Sequence, residues 1–80
     1  MDIIRDVIEF FIERNFVDKN DVLDVSESLL ERGTIDSLAI RELIAFIESR
    51  YNIKVDEDDM LPENFDSLVA IRDYVTRKIA

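Results

Sequence analysis

Gly33-Thr34-Ile35-Asp36-Ser37-Leu38 is the stretch around which the chain is organised. Gly33 is the only glycine, and it lets the backbone turn where other residues would strain. An Asp-Ser pair follows, and an apolar helical pattern then runs from Leu38 to Tyr51. Side-chain oxygens of Asp and Ser accept hydrogen bonds from the first free N–H groups of a helix. Ser37 is therefore expected at the helix start as its cap, with its hydroxyl near solvent. That end of a helix carries partial positive charge and spare N–H donors, which suit a phosphate. Two readings follow: a cap and nothing more, or a serine to which a phosphate group is attached.

Working outward, Ile40, Leu43, Ile44, Ile47 and Tyr51 form the buried stripe of the helix over 37–51. Leu38, Ala39, Arg41, Glu42, Ala45, Glu48 and Ser49 fall mostly off it. Asn52 is the expected stop, since Asn tolerates the left-handed conformation. Ile53-Lys54-Val55 alternates like a short extended piece, too isolated to make a sheet.

Before the central stretch, residues 16–35 are irregular. Asp18, Asn20, Asp21 and Asp24 are turn formers, interleaved with Phe16, Val22, Leu23 and Val25. The loop is therefore expected to lie on the core, with one or two helical turns over 26–32 ending at Gly33. A connection this long in a small domain is often functional. Residues 3–14 read as an amphipathic helix with Ile3, Ile4, Val7, Ile8 and Phe11 on one face. Asp2 is its expected cap and Asn15 its stop.

Beyond the central helix, Asp56-Glu57-Asp58-Asp59 is an acidic run, read as a solvated face at the start of a short third helix. Pro62 is expected to break the chain. Residues 65–79 form the last helix, with Leu68, Ile71, Val75 and Ile79 as its stripe and Asn64 or Asp66 as its cap. A second tripeptide, Asp66-Ser67-Leu68, stands at its start. Capping explains both copies and cannot distinguish them; Ser67, between Phe65 and Leu68, is read as a structural cap. The expected fold is all-α: one domain over 1–80, a small four-helix bundle with a long loop between the first two helices.

Composition narrows the function. A net charge of −9 would repel nucleic acid and favours basic protein surfaces as partners. No apolar run approaches membrane-spanning length, and the acidic first residues do not resemble a signal peptide. A cytoplasmic monomer is the expectation. With no Cys and no His, the chain can build neither a disulfide framework nor a Ser-His-Asp triad. If Ser37 takes part in chemistry, another protein must activate it. The acidic run lacks the spacing and glycine of an EF-hand, so no dedicated metal site is expected.

Taken together, the pattern resembles the acyl and peptidyl carrier proteins over nearly the whole chain, most strongly from Leu29 to Val75. Gly33-Thr34-Ile35-Asp36-Ser37-Leu38 looks like the family motif, one residue longer than its tightest form. Glu42-Leu43-Ile44, then Ile47-Glu48 and Tyr51, Ile53 and Val55, look like its second helix and the segment after it. Phe65-Asp66-Ser67-Leu68 and Ile71 look like the start of its last helix.

The resemblance implies a 4'-phosphopantetheine arm, moved from coenzyme A onto Ser37 by a phosphopantetheinyl transferase. The arm's thiol would hold an acyl or aminoacyl group as a thioester for downstream acyl-transfer enzymes. Asp36 would match the motif aspartate that helps position metal and coenzyme A in the transferase complex. Partner recognition would use Leu38, Arg41, Glu42, Ala45 and Glu48. Where fatty-acid carriers have a strongly acidic second helix, Arg41 and Arg50 here balance Glu42 and Glu48, and Ala39 replaces a usual acid. This points to stand-alone carriers loaded by an adenylating ligase.

Two other readings stand beside the carrier: a non-covalent acidic adaptor for a basic protein surface, and a small cation buffer built on residues 56–59. Self-repulsion makes a prediction common to all three. The acids at 56–59, with Glu63 and Asp66 following and no base between, concentrate the charge. Added NaCl should raise the melting temperature by screening, and Mg²⁺ should raise it more at equal ionic strength. A flat or falling melting temperature across the salt series contradicts repulsion as the weak point.

Overall fold

The computed structural model describes residues 2–79; Met1 and Ala80, at the ends of the expected 1–80 domain, lie outside the described residues. The described chain is all helical: α1 Ile3–Glu13, α2 Leu29–Arg32, α3 Ser37–Tyr51, a 3₁₀ turn Glu57–Asp59, α4 Pro62–Phe65 and α5 Leu68–Ile79. The three long helices follow the expected periodicity. Asp2 caps α1, its carboxylate accepting from the Arg5 N–H at 3.0 Å. Asn15 and Asn52, at φ 62° and 55°, turn the chain out of α1 and α3 as expected of Asn.

The helical turns expected over 26–32 are present as α2, ending at Gly33. Three expectations are corrected. The last helix starts at Leu68 rather than at residue 65. The acidic run forms only a 3₁₀ turn; two of its acids are tied to α5, Asp56 by Lys78 Nζ at 3.3 Å and Asp59 by the Tyr74 hydroxyl, which donates to it at 2.9 Å. Pro62 does not end a helix; it starts α4, at the first position, where its missing N–H has no partner to lose.

All buried apolar residues join one cluster drawn from every helix and from the loop. Phe11, Leu43, Phe65, Leu68 and Ile71 are among its fully buried members. Cutting Phe11 or Phe65 to Ala would cost about 3–5 kcal/mol, a large part of a small domain's stability. Within the stripes, Ala39 is buried although it was expected off the face, and Ile79 is exposed at the fraying end of α5. Phe10, absent from the expected α1 face, is buried because it stacks on Phe46 of α3 with ring centroids 4.5 Å apart.

α1 and α3 run antiparallel. Arg14, just past α1, pairs with Glu42 near the start of α3 at 2.9 Å, while Asp6 meets Tyr51 and Arg50 at its far end. The long loop is held down rather than extended. The Cα radius of gyration, 11.6 Å, matches the roughly 12 Å of a compact chain of this length. Local Asx turns at Asp18 and Asp24 satisfy its tip. The Ser26 backbone N–H, and then its hydroxyl, hold the Asp24 carboxyl below its ordinary range.

The phenol of Tyr74 is pushed up to about 12, first by burial and then by its hydrogen bond to Asp59. Tyr51 is raised further, by burial and by its 2.7 Å bond to Asp6. A raised phenol means that the folded state holds its proton where the unfolded chain has lost it. The stability from the Tyr74 bond is therefore whole below pH 10.0 and is lost as the pH climbs through about 12, while that from Tyr51 persists to higher pH. Denaturant unfolding in steps from about pH 8 to about 12 should reveal this fall, and Tyr74→Phe should make it shallower. Equal slopes for both proteins would refute the Tyr74 assignment.

Candidate functional site

The site is built backwards from Asp66. Its side chain accepts from the Ser28 hydroxyl at 2.7 Å and the Leu30 N–H at 2.9 Å, while its carbonyl accepts from the Leu29 N–H at 2.6 Å. The first turn of α2 is thereby fixed to the α4–α5 junction. Gly33 then ends α2 at φ 78°, a left-handed conformation. A Cβ added there would meet nothing within 4 Å, so backbone strain alone requires the glycine. Ile35 turns inward and is buried. The chain leaves this anchor at Asp36 and begins α3.

The cap of α3 differs from expectation. Asp36, not Ser37, is the N-cap: its Oδ1 accepts from the Ala39 N–H at 2.8 Å. Ser37 is the first helical residue, exposed, and its hydroxyl makes no hydrogen bond among the described residues. At the second tripeptide the roles shift by one residue. Asp66 is committed to α2, so Ser67 becomes the cap of α5, its Oγ accepting from the Ala70 N–H at 3.0 Å. Asn64, the other expected cap, instead donates to the Asp59 carbonyl.

One residue of offset rotates the following side chain by about 100°. Leu68 is 1% exposed and Leu38 is 72% exposed. Identical tripeptides thus give one buried leucine beside an occupied serine, and one exposed leucine beside a free serine.

Ser37 lies on a ridge between two clefts. One, of about 410 Å³, is lined by Phe16, Leu30, the 33–36 turn and Ala39. The other, of about 520 Å³, lies between α3 and the segment before α4, and is lined by Ile40, Arg41, Ile44, Ala45, Glu48, Met60 and Pro62. Asp36 and Ser37 are adjacent, as the motif requires. Leu38, Arg41 and Ala45 are exposed on the same part of α3. The two acids are more committed: Glu42 pairs with Arg14, and half-buried Glu48 accepts from the Val55 N–H at 2.9 Å, fixing the turn after α3. The sequence reading gives Asp66 only as a possible cap of the last helix, and gives no site role to Ser28 or Met60. Asp66 could have been suspected, because a serine already able to cap α5 leaves the aspartate before it spare. Among the described residues no group of three Asp or Glu side chains converges as a metal would need.

No known family model matches the sequence. D-alanyl carrier proteins from three strains of Streptococcus thermophilus do resemble it, each 33% identical over 76 residues, covering 95% of this chain and 94% of theirs.

The chain belongs to the acyl and peptidyl carrier proteins.

It is related to the stand-alone carriers and is not an enzyme. The helical architecture fits a carrier: a long anchored loop leads to a helix whose first turn presents a serine. No described helix is long and apolar enough to cross a membrane.

The revised capping has a direct test. Asp36→Ala and Ser67→Ala should each cost about 0.5–2 kcal/mol in urea unfolding. Ser37→Ala should stay within about 0.5 kcal/mol of wild type, as an exposed residue without a bond does. A Ser37→Ala loss as large as that of Asp36→Ala would overturn the cap assignment.

Proposed function

We propose that this carrier holds an acyl or aminoacyl group as a thioester on a 4'-phosphopantetheine arm attached to Ser37. The observation that supports the reading most is the free, exposed Ser37 hydroxyl, released from capping by Asp36. A hydroxyl already used as a cap would have to break a helix bond to react; this one does not. Attachment joins Ser37 Oγ to the phosphorus that bears pantetheine and breaks the pyrophosphate bond of coenzyme A. The nucleotide leaves, and the serine proton passes to the transferase or to water. The bound arm supplies the thiol that the chain lacks.

The residues present fit such an arm. The 520 Å³ cleft beside Ser37 is lined by apolar Ile40, Ile44 and Met60 together with Arg41 and Glu48. Asp36 keeps one carboxylate oxygen free of its cap bond, available to metal and coenzyme A in the transferase complex. Leu38, with Arg41, Glu42, Ala45 and Glu48, forms the docking face for the transferase, an adenylating ligase and downstream acyl-transfer enzymes. Apolar contact from Leu38 sets affinity there, and the charges set orientation. Residues 1–80 serve as one carrier domain, working in the cytoplasm as a monomer. Its similarity to D-alanyl carrier proteins makes D-alanine the first cargo to test.

Coenzyme A, Mg²⁺ and a broad-specificity phosphopantetheinyl transferase should add one phosphopantetheinyl group to wild type and to Ser67→Ala, read by intact mass. Ser37→Ala should take none while keeping its helical circular dichroism. Modification of the Ser37 variant, or none of folded wild type, would refute the assignment.

A further inference from the structure

Among the described residues Arg41 is the one arginine without a task in the fold. Arg5, Arg14, Arg32, Arg50 and Arg72 each pair with a carboxylate. Arg77 bonds the Asp73 carbonyl and lies over the Tyr74 ring. Among the described residues Arg41 has no ion pair, no side-chain hydrogen bond and no aromatic partner, in a chain of net charge −9. The α3 acids near it are engaged: Glu42 by Arg14, Glu48 by the Val55 N–H, and Asp36 by the Ala39 N–H.

Its position has a consequence. Arg41 stands four residues after Ser37 on α3, and both line the same cleft. Side chains four apart share a helix face, about 5–6 Å between their Cβ atoms. Helical side chains also lean toward the N-terminus, which brings the turn that begins at Ser37 within reach of the Arg41 guanidinium. A phosphodiester on Ser37 Oγ would bring one negative charge beside Asp36. The guanidinium fork is suited to two phosphate oxygens at once.

Resting on the reading of Ser37 as the arm's attachment point, we infer that Arg41 is a positioning residue that pairs with the arm's phosphate. The pair offsets repulsion from Asp36. It also directs the root of the arm along the apolar cleft rather than toward the opposite cleft at Phe16 and Leu30.

The test compares modified and unmodified forms of wild type, Arg41→Gln, Arg41→Lys and Arg72→Gln. The last loses the same charge far from the clefts. At low salt, the melting-temperature change on modification should be less favourable in Arg41→Gln than in wild type by about 1–5 °C. Arg41→Lys should recover part of that difference, and Arg72→Gln should behave as wild type. High NaCl should erase the difference. The phosphorus NMR signal of the modified protein should also move between wild type and Arg41→Gln. Equal modification effects with an unmoved phosphorus signal would overturn the inference. If partner enzymes then still slow on Arg41→Gln, the residue serves the docking face alone and does not position the arm. Should folded wild type take no arm, the mass spectrum alone would refute the attachment reading and this inference with it; an arm taken with no Arg41 effect refutes only the inference.

Discussion

The Asp66 carboxylate is the constraint on which the arrangement depends. It receives the Ser28 hydroxyl and the Leu30 N–H, and its own carbonyl receives the Leu29 N–H. A loop of many turn formers is thereby reduced to one fixed helical turn. Hydrogen bonds to a charged acceptor are stronger than neutral ones, so two on one carboxylate can order a segment with little apolar surface of its own. From that turn, Gly33 and buried Ile35 carry the chain to a set starting point for α3. Moving Asp66 would move Ser37.

Around this clamp, charge and apolar surface are divided between faces. α1 and α3 are held by aromatic stacking at Phe10 and Phe46 and by ionic contacts at both ends. The acidic segment after α3 is tied to α5 through Tyr74 and Lys78. That segment carries Met60 and Pro62, which wall the cleft beside Ser37. The tyrosine–carboxylate bond therefore contributes to the site's shape as well as to stability.

Much of this was legible in the sequence for a physical reason. The long helices α1, α3 and α5 bury stripes, and a stripe is written in local spacing. Asp2, Asn15, Asn52 and Gly33 acted as their intrinsic preferences dictate. The misreadings share a different cause. Sequence alone points to Ser37 as the cap because Asp and Ser cap about equally well, and the choice is made by what else each can reach. At 66–67 the choice depends on α2, which lies far away in sequence. Pro62 was read as a break because its role depends on whether the helix lies before or after it. Phe10 was missed because its burial is set by Phe46 rather than by the spacing of α1. The resemblance found the motif and the family, but not which oxygen holds the helix.

The offset between the two Asp-Ser-Leu copies also bears on fidelity. In an unfolded chain the tripeptides are indistinguishable over their three residues. Folding removes the degeneracy by occupying one hydroxyl and turning its leucine inward. A modifying enzyme that needs an unbonded serine next to an exposed apolar residue would then find a single address. Ser67 becomes a silent decoy, readable only if the first turn of α5 frays. Accuracy of that kind is a property of the native state and not of the motif, so it would deteriorate under any condition that loosens α5, even if the chain stayed otherwise compact.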